Sequence, residues 1–415
     1  MVERKYGPNA RVSPEYISAT GSNHEWTLRH VNFLWLYTGI RAPYVPPVTE
    51  ERTKQRIVIG MSGGVDSSAA AALLQQQGFE VIGITLKLWP QDCISRAEDK
   101  CCGPQAVTDA RGVCHGLGIP FYLVDESADF QKEVIAYFAE EYKAGRTPNP
   151  CVMCNEKLKF GTLIRRARQL GAEFIATGHY ARTEHDPVTD RWVLKRGRDP
   201  RKDQSYFLFS LRQDQLARAR FPLGELTKAA TRDVARENHL KTADKEESME
   251  ICFVPDNDYG GFLKKAGLAK SHEGEIVDLT GRVLGRHEGI EFYTVGQRRG
   301  LRVSSPKPLY VVEVDPESNR VVVGSDEDLK VEQFTIERCN WIPFAEPPAT
   351  IEAVAKIRYN HPGTPATITP EPGSHKALVR LHTAPRAVTP GQACVFYSDD
   401  VVLGGGWIQR PHARA

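Results

Sequence analysis

The sequence predicts an α/β protein: a parallel-sheet domain, then a small central domain, then a C-terminal antiparallel β-barrel. Three observations carry this. Short apolar strands alternate with helices up to about residue 177, a glycine-rich turn joins the first strand to the first helix, and from about residue 275 the chain changes to short β-rich runs separated by turns. Strands that alternate with helices imply a parallel sheet covered on both faces, and such sheets bind ligands beyond the carboxyl ends of their strands. Recurrent short strands imply antiparallel sheets or a small barrel.

The first 53 residues show no sustained period and close on Arg41-Ala42-Pro43-Tyr44-Val45-Pro46-Pro47, a proline density that breaks helix and ladder alike. They read as an N-terminal extension, open to disorder. Then come a buried strand Ile57–Gly60, an alanine- and leucine-rich helix Ser67–Gln77 ended by Gly78, and a strand Val81–Leu86. A helix Ala106–Leu117, a strand Phe121–Asp125, a helix Leu163–Leu170 and a strand Phe174–Thr177 complete the alternation. Later β runs are Leu309–Val314, Arg320–Gly324, Ala377–Leu381 and Ala393–Tyr397, and no internal repeat stands out. The expected boundaries are 54–257, 258–330 and 331–415, consistent with two or three domains in 415 residues.

A hydrophobic fraction of 41% with 26% charged residues is the composition of a globular protein with real cores. The nearest approach to a membrane span, Asn32–Ile40, is far below the roughly 20 apolar residues required. It also lacks the basic leader and cleavage pattern of a signal peptide. Nine cysteines are too few for a disulfide scaffold in a chain of this length, and their clustering favours thiol or metal chemistry in a reducing compartment. The expected location is the cytoplasm, with no membrane partner.

The loop Gly60-Met61-Ser62-Gly63-Gly64-Val65-Asp66-Ser67-Ser68 joins the first strand to the first helix. Two glycines let backbone N–H groups turn toward an anion, and the helix adds its unpaired N–H groups and positive dipole end. Serine hydroxyls add donors, and Asp66 is placed to orient the loop or to hold Mg2+. No Gly-Lys-Ser/Thr follows, so this is not a Walker loop. It resembles the PP-loop signature Ser-Gly-Gly-x-Asp-Ser of the adenine nucleotide α-hydrolase-like ATP pyrophosphatases. That resemblance implies ATP as cofactor, cleaved between its α and β phosphates to adenylate a carbonyl oxygen, which makes that oxygen a good leaving group. Leu86 and Gly178 join the loop in the implied ATP site.

Two further blocks are Asn149-Pro150-Cys151-Val152-Met153-Cys154 and Ser248-Met249-Glu250-Ile251-Cys252-Phe253. With Gly178-His179-Tyr180, Lys202-Asp203-Gln204-Ser205, Thr294-Val295-Gly296-Gln297-Arg298-Arg299 and Thr389-Pro390-Gly391-Gln392, they make the chain from about residue 55 to 410 resemble the tRNA-specific 2-thiouridylase family. The resemblance implies sulfuration of the wobble uridine of tRNA, adenylated at its C2 oxygen. It makes Cys252 the persulfide-bearing cysteine and Cys154 the thiolate that attacks the persulfide, leaving a transient Cys154–Cys252 disulfide. Lys157 would help hold Cys154 as thiolate. The sulfur comes from a persulfide carrier or a desulfurase.

Position 151 departs from the family, which commonly has an acid–base Asp there. With Cys151, Cys154 and Cys252, three thiols are available to a [4Fe-4S] cluster with one open iron. Persulfide relay and cluster therefore both stay open. A zinc site including Cys101 and Cys102 has weaker support. The segment Asp92 to Cys102 is expected to be a loop over the site, Cys114 a core residue, and Cys339 and Cys394 structural.

The total charge of +2 hides a local excess, since residues 155–242 hold 19 Lys or Arg against 11 Asp or Glu. The densest run is Lys195-Arg196-Gly197-Arg198-Asp199-Pro200-Arg201-Lys202. Such residues fit phosphate contacts, though a solvated charged loop accounts equally for any one of them. The resemblance assigns tRNA contacts to Lys202, Asp203, Gln204, Arg358, Tyr359 and Gln392. It places Asn149, Pro150 and Cys151 beside the target base, turned out of the anticodon stack, with His179 near it. Competing readings are a PP-loop ligase that uses a nitrogen nucleophile, and a non-catalytic tRNA-binding protein.

Overall fold

The computed structural model describes residues 54–88, 103–246, 251–254, 258–269 and 272–410. The expected extension, the segment holding Cys93, Cys101 and Cys102, and Ser248-Met249-Glu250 lie outside the described residues.

The first strand β1 (Arg56–Gly60) leads through the glycine loop into α1 (Val65–Gln76), then β2 (Glu80–Lys87), α2 (Pro104–Gly116) and β3 (Phe121–Asp125). A helical run follows as α3 (Ser127–Phe130), a π-helical turn Gln131–Ile135 and α4 (Ala136–Lys143). A second run comprises α5 (Pro150–Met153), a π-helical stretch Cys154–Thr162 and α6 (Leu163–Gln169), ahead of β4 (Phe174–Ala176). Pro150 suits the first helical position because its missing N–H would have no partner there. The hairpin β5 (Ala181–Asp186) and β6 (Arg191–Arg196), α7 (Gln213–Leu216), β7 (Ala219–Arg220) and α8 (Lys228–Glu237) come next.

The first sheet has the order β3-β2-β1-β4-β7 and every pairing in it is parallel. Strands β1 and β2 are buried on both faces: Ile57, Ile59 and Val81 enter one core, while Val58, Ile82 and Ile84 enter the other. The side-chain alternation of a strand thus serves two cores, which is why these strands read as unbroken apolar runs. Four consecutive alanines, Ala69 to Ala72, are all buried in α1 and let the helix lie close to the sheet. The chain steps from β1 outward to β3, then crosses back to place β4 on the other side of β1. Strand order reverses between β1 and β4, the point at which sheets of this kind bind ligands beyond their carboxyl edge.

The central part holds α9 (Tyr259–Lys265), β8 (Gly274–Asp278), β9 (Val283–His287), β10 (Tyr310–Asp315) and β11 (Arg320–Gly324), in sheet order β10-β11-β8-β9. Here the expectation of antiparallel pairing needs one correction. β11 pairs with β8 in parallel, because the chain returns from the β10–β11 hairpin to lie beside the earlier β8–β9 hairpin.

Six strands complete the chain: β12 (Gln333–Trp341), β13 (Ile351–Lys356), β14 (Thr364–Pro370), β15 (Lys376–Leu381), β16 (Ala393–Ser398) and β17 (Val401–Ile408). They run β12-β15-β14-β13-β16-β17, and β12 pairs with β17 to close an antiparallel barrel. The sheet does not stop there. Val401 and Val402 pair with Lys195 and Leu194, so the hairpin β5–β6 extends the barrel sheet. The sequence pattern did not announce this hairpin.

Candidate active site

The glycine loop sits at the strand-order reversal. Gly63 has φ +71, and a Cβ there would lie 2.2 Å from the Ala106 carbonyl oxygen, so only glycine lets the loop rest on α2. Met61 is fixed from both sides: its N–H donates to Ile84 O at 2.8 Å, and its carbonyl accepts from Thr85 Oγ1 at 2.8 Å. Ser67 Oγ accepts from the Ser62 N–H and Ser68 Oγ donates to Gly64 O, which ties both ends of the loop to the helix start. Gly178, after β4, presses on the loop from the other side. A Cβ on it would be 2.8 Å from Asp66 C and 2.8 Å from Ser67 N. Gly60, Met61, Ser62, Gly63, Gly64, Val65, Asp66, Ser67 and Gly178 thus form one structure, while Leu86 ends β2 and packs into the core on the adjacent face.

Asp66 is held rather than projecting. Its Oδ1 accepts from Tyr180 Oη at 2.8 Å and pairs with Lys228 Nζ at 2.7 Å. Lys245 Nζ donates to Gly63 O at 3.1 Å and to Asp109 Oδ2, and the Arg232 guanidinium holds the carbonyls of Ala243 and Lys245. Helix α8 therefore supplies both Lys228 and Arg232, and places two lysines about the loop. Both lysines are ion-paired, to Asp66 and Asp109, so the feature here that suits a phosphate is the glycine loop at the start of α1.

The thiols divide into two groups. Cys114, Cys339 and Cys394 are buried, and loss of solvation pushes the thiols of Cys114 and Cys339 up to about 12 and that of Cys394 higher still. They are core residues, as expected. Cys154 and Cys252 lie instead in one apolar cluster with Leu88, Phe130, Val134, Phe138, Leu158 and Phe253. Leu86 and Leu88 anchor that cluster at the carboxyl end of β2, next to the strand that carries the glycine loop. Phe253 sets the position of Cys252. Its ring meets Phe138 at 5.0 Å, Phe262 at 5.4 Å and Phe130 at 5.7 Å, and the turn closes through Val254 N–H to Ile251 O at 3.0 Å. Cys151, half-buried on α5, stands one turn before Cys154 and outside this cluster. Lys157, expected beside Cys154, pairs with Glu156 at 2.7 Å.

The residues expected to meet RNA are placed in three ways. Asn149 is buried beside Tyr206, and Gln392 donates to the carbonyls of Thr147 and Pro148 just before it. Asp203 is buried, with Oδ1 accepting the N–H groups of Gly197 and Ser205, while Gln204 accepts the Tyr180 N–H; Lys202 is partly exposed in the same turn. Arg358 and Gln392 line a cavity of about 370 Å3 with Thr147, Thr294, Arg386 and Thr389, and the Tyr359 ring lies 4.5 Å from that of Phe207, tilted by 36°. In the basic run, Lys195 pairs with Glu184, Arg198 with Glu225, and Arg196 lies 3.8 Å over the Tyr397 ring. Lys195 and Arg196 serve the hairpin and its junction with the barrel, while Arg198 is tied to the loop before α8.

His179 is buried between Phe160 and Phe221, with Nδ1 2.8 Å from Thr177 Oγ1. Burial, with Lys159 nearby, holds its pKa well below the usual imidazole value, so the ring is neutral. The unfolded chain takes up a proton below about pH 6.5 and the folded chain does not, so this site costs stability as pH falls. Urea unfolding should weaken from pH 7 to pH 5 more steeply in the parent than in His179→Gln, by about 1–2 kcal/mol. Equal slopes in the two proteins would remove this assignment.

Comparison with known proteins places these features in a family. A model described as a tRNA methyl transferase HUP domain matches residues 55–256, its PRC-barrel domain matches 260–325, and an aminomethyltransferase β-barrel domain matches 331–408. The tRNA-specific 2-thiouridylase of Geobacter metallireducens is 51% identical over 362 residues, covering 86% of this chain and 98% of the relative. Those of Acidobacterium capsulatum and Caldanaerobacter subterraneus are 47% and 49% identical, covering 85% and 86% of this chain and 98% of each relative. The chain belongs to the tRNA-specific 2-thiouridylase family. Its parallel-sheet domain, central domain and closed barrel are the family architecture that the sequence predicted.

Among the described residues, no group of three or more His, Cys, Asp or Glu gathers as a metal site. Cys154 and Cys252 share one apolar cluster, Cys151 stands one turn before Cys154, and Asp66 Oδ1 is engaged by Lys228 and Tyr180. No helix of the described residues is long and apolar enough to cross a membrane. Tyr180, Lys228, Arg232 and Lys245 are the site residues that sequence reasoning missed. Tyr180 follows Gly178-His179 and carried a signal through that neighbour; the other three carry none.

Proposed function

We propose that this chain catalyses ATP-dependent 2-thiolation of the wobble uridine of tRNA. One observation carries the reading: Cys154 and Cys252 are packed into one cluster at the carboxyl edge of the sheet, on the strand adjacent to the phosphate loop. In the mechanism, the loop Ser62–Ser67 would hold the phosphates of ATP, and a Mg2+ bound with them would offset their charge. The uracil C2 oxygen attacks the α-phosphorus, pyrophosphate leaves, and C2 becomes electrophilic. The terminal sulfur of a Cys252 persulfide then bonds to C2. Cys154 thiolate attacks the inner sulfur, the S–S bond breaks, and its electron pair stays with the sulfur on the base. AMP departs and a Cys154–Cys252 disulfide remains, to be reopened by a dithiol reductant. The sulfur enters from a persulfide carrier or desulfurase, in the cytoplasm, where thiols stay reduced.

The roles of Lys202, Arg358, Tyr359 and the basic excess of residues 155–242 are to seat the tRNA, with Asn149 and Cys151 beside the base. The functional parts follow 54–257, 258–330 and 331–415. The test combines purified protein, ATP, unmodified tRNA and a small-molecule persulfide, with 2-thiouridine measured by mass spectrometry. ATP-dependent sulfur at the wobble position is expected from protein purified without iron. Pyrophosphate release with an amine incorporated in place of sulfur would transfer the chain to the ligase reading. Sulfur transfer only from protein with bound iron and acid-labile sulfide would replace the relay by a cluster.

A further inference from the structure

The loop that carries Asn149 and Cys151 cannot brace itself. Pro148 and Pro150 lack N–H groups, so a turn built from Thr147 to Pro150 has few donors with which to close its own hydrogen bonds. The barrel supplies what is missing, from four consecutive residues at the entrance to β16. Thr147 N–H donates to Pro390 O at 2.8 Å. Gly391, at φ +85, lies so close that a Cβ would be 2.9 Å from Thr147 O and 2.9 Å from Arg146 Cβ. Gln392 Nε2 donates to Thr147 O at 3.1 Å and to Pro148 O at 3.0 Å. Tyr206 Oη, beside Asn149, donates to Ala393 O at 2.9 Å.

We propose that Gln392 is a positioning residue whose amide, with Gly391 beneath it, clamps Thr147 and Pro148 and so sets where the barrel holds Asn149 and Cys151 against the base. Both N–H bonds of the Gln392 amide nitrogen are directed to loop carbonyls, which leaves that nitrogen no donor for RNA. The barrel thereby fixes the sulfur-transfer geometry from more than two hundred residues away in sequence. This rests on the thiouridylase reading for its consequence in turnover, but not for its consequence in loop structure.

The test uses Gln392→Glu, which keeps size and removes both donors, and Gln392→Ala and Gly391→Ala as independent variants. Iodoacetamide labelling of Cys151, read by mass spectrometry without tRNA, is expected to speed up about tenfold in each, the scale of one or two lost net hydrogen bonds. Thiolation kcat should fall about tenfold or more, with tRNA Kd changed by less than about twofold. Unchanged labelling in all three variants overturns the clamp. Weakened tRNA binding with unchanged labelling would make Gln392 an RNA contact instead. Faster labelling in a protein found to have no thiolation activity would sustain the clamp and defeat the functional reading, so the two fail separately.

Discussion

Replacing Cys252 with alanine is expected to lower 2-thiouridine formation by on the order of 10^4-fold while leaving ATP affinity within about twofold, because the sulfur carrier is lost and the phosphate loop is untouched. The fold should survive. Cys252 is only partly buried, and the segment is held by Phe253 against Phe130, Phe138 and Phe262 rather than by the thiol. Single-turnover assays would separate the steps: pyrophosphate release persists, and sulfur does not reach the base. Cys154→Ala should behave differently, retaining a persulfide on Cys252 that can be trapped by alkylation. Sulfur transfer by Cys252→Ala at near-parental rate would end the relay.

The second large effect is expected at Gly178. Its Cβ would meet backbone atoms of Asp66 and Ser67 at 2.8 Å, and backbone at a helix start cannot retreat as a flexible side chain can. Gly178→Ala should push the loop off its seat and disturb the Asp66 contacts with Tyr180 and Lys228. A cost of about 1–3 kcal/mol weakens binding of a non-hydrolysable ATP analogue about tenfold to a hundredfold. Calorimetric titration measures it, and Cys151 labelling serves as the control that stays level. Parental affinity in Gly178→Ala would show that the loop is not set by this contact.

The first sheet was legible because β1 and β2 are buried on both faces, so Ile57-Val58-Ile59 and Val81-Ile82-Gly83-Ile84 stand out as apolar runs. The hairpin was not. Ala181-Arg182-Thr183-Glu184-His185-Asp186 and Arg191-Trp192-Val193-Leu194-Lys195-Arg196 carry charges that pair along the hairpin and with Asp400, and such a pattern looks like a solvated loop. The helix through Cys151 and Cys154 was hidden for another reason: Pro148 precedes it, Pro150 opens it, and its period slips in the π-helical stretch Cys154–Thr162. At the site, the glycine loop is a local word in the chain and could be read directly. Lys228 and Lys245 reach the loop across separations of 162 and 182 residues, which no local pattern can encode. Cys154 and Cys252 were paired only through family resemblance; packing around Phe253 supplies the physical account.

The hairpin that extends the barrel sheet also governs when the chain can finish folding. During synthesis, β5 and β6 leave the ribosome long before their partner strand, since Arg182 and Asp400 are 218 residues apart. Until β17 arrives, the backbone edge of β6 has no ladder to join, and an unpaired edge invites association with other chains. Cutting the chain near residue 257 would make that interim state permanent. The parallel-sheet part is therefore not closed off from the barrel: its hairpin is extended by β17, a strand more than two hundred residues further along the chain.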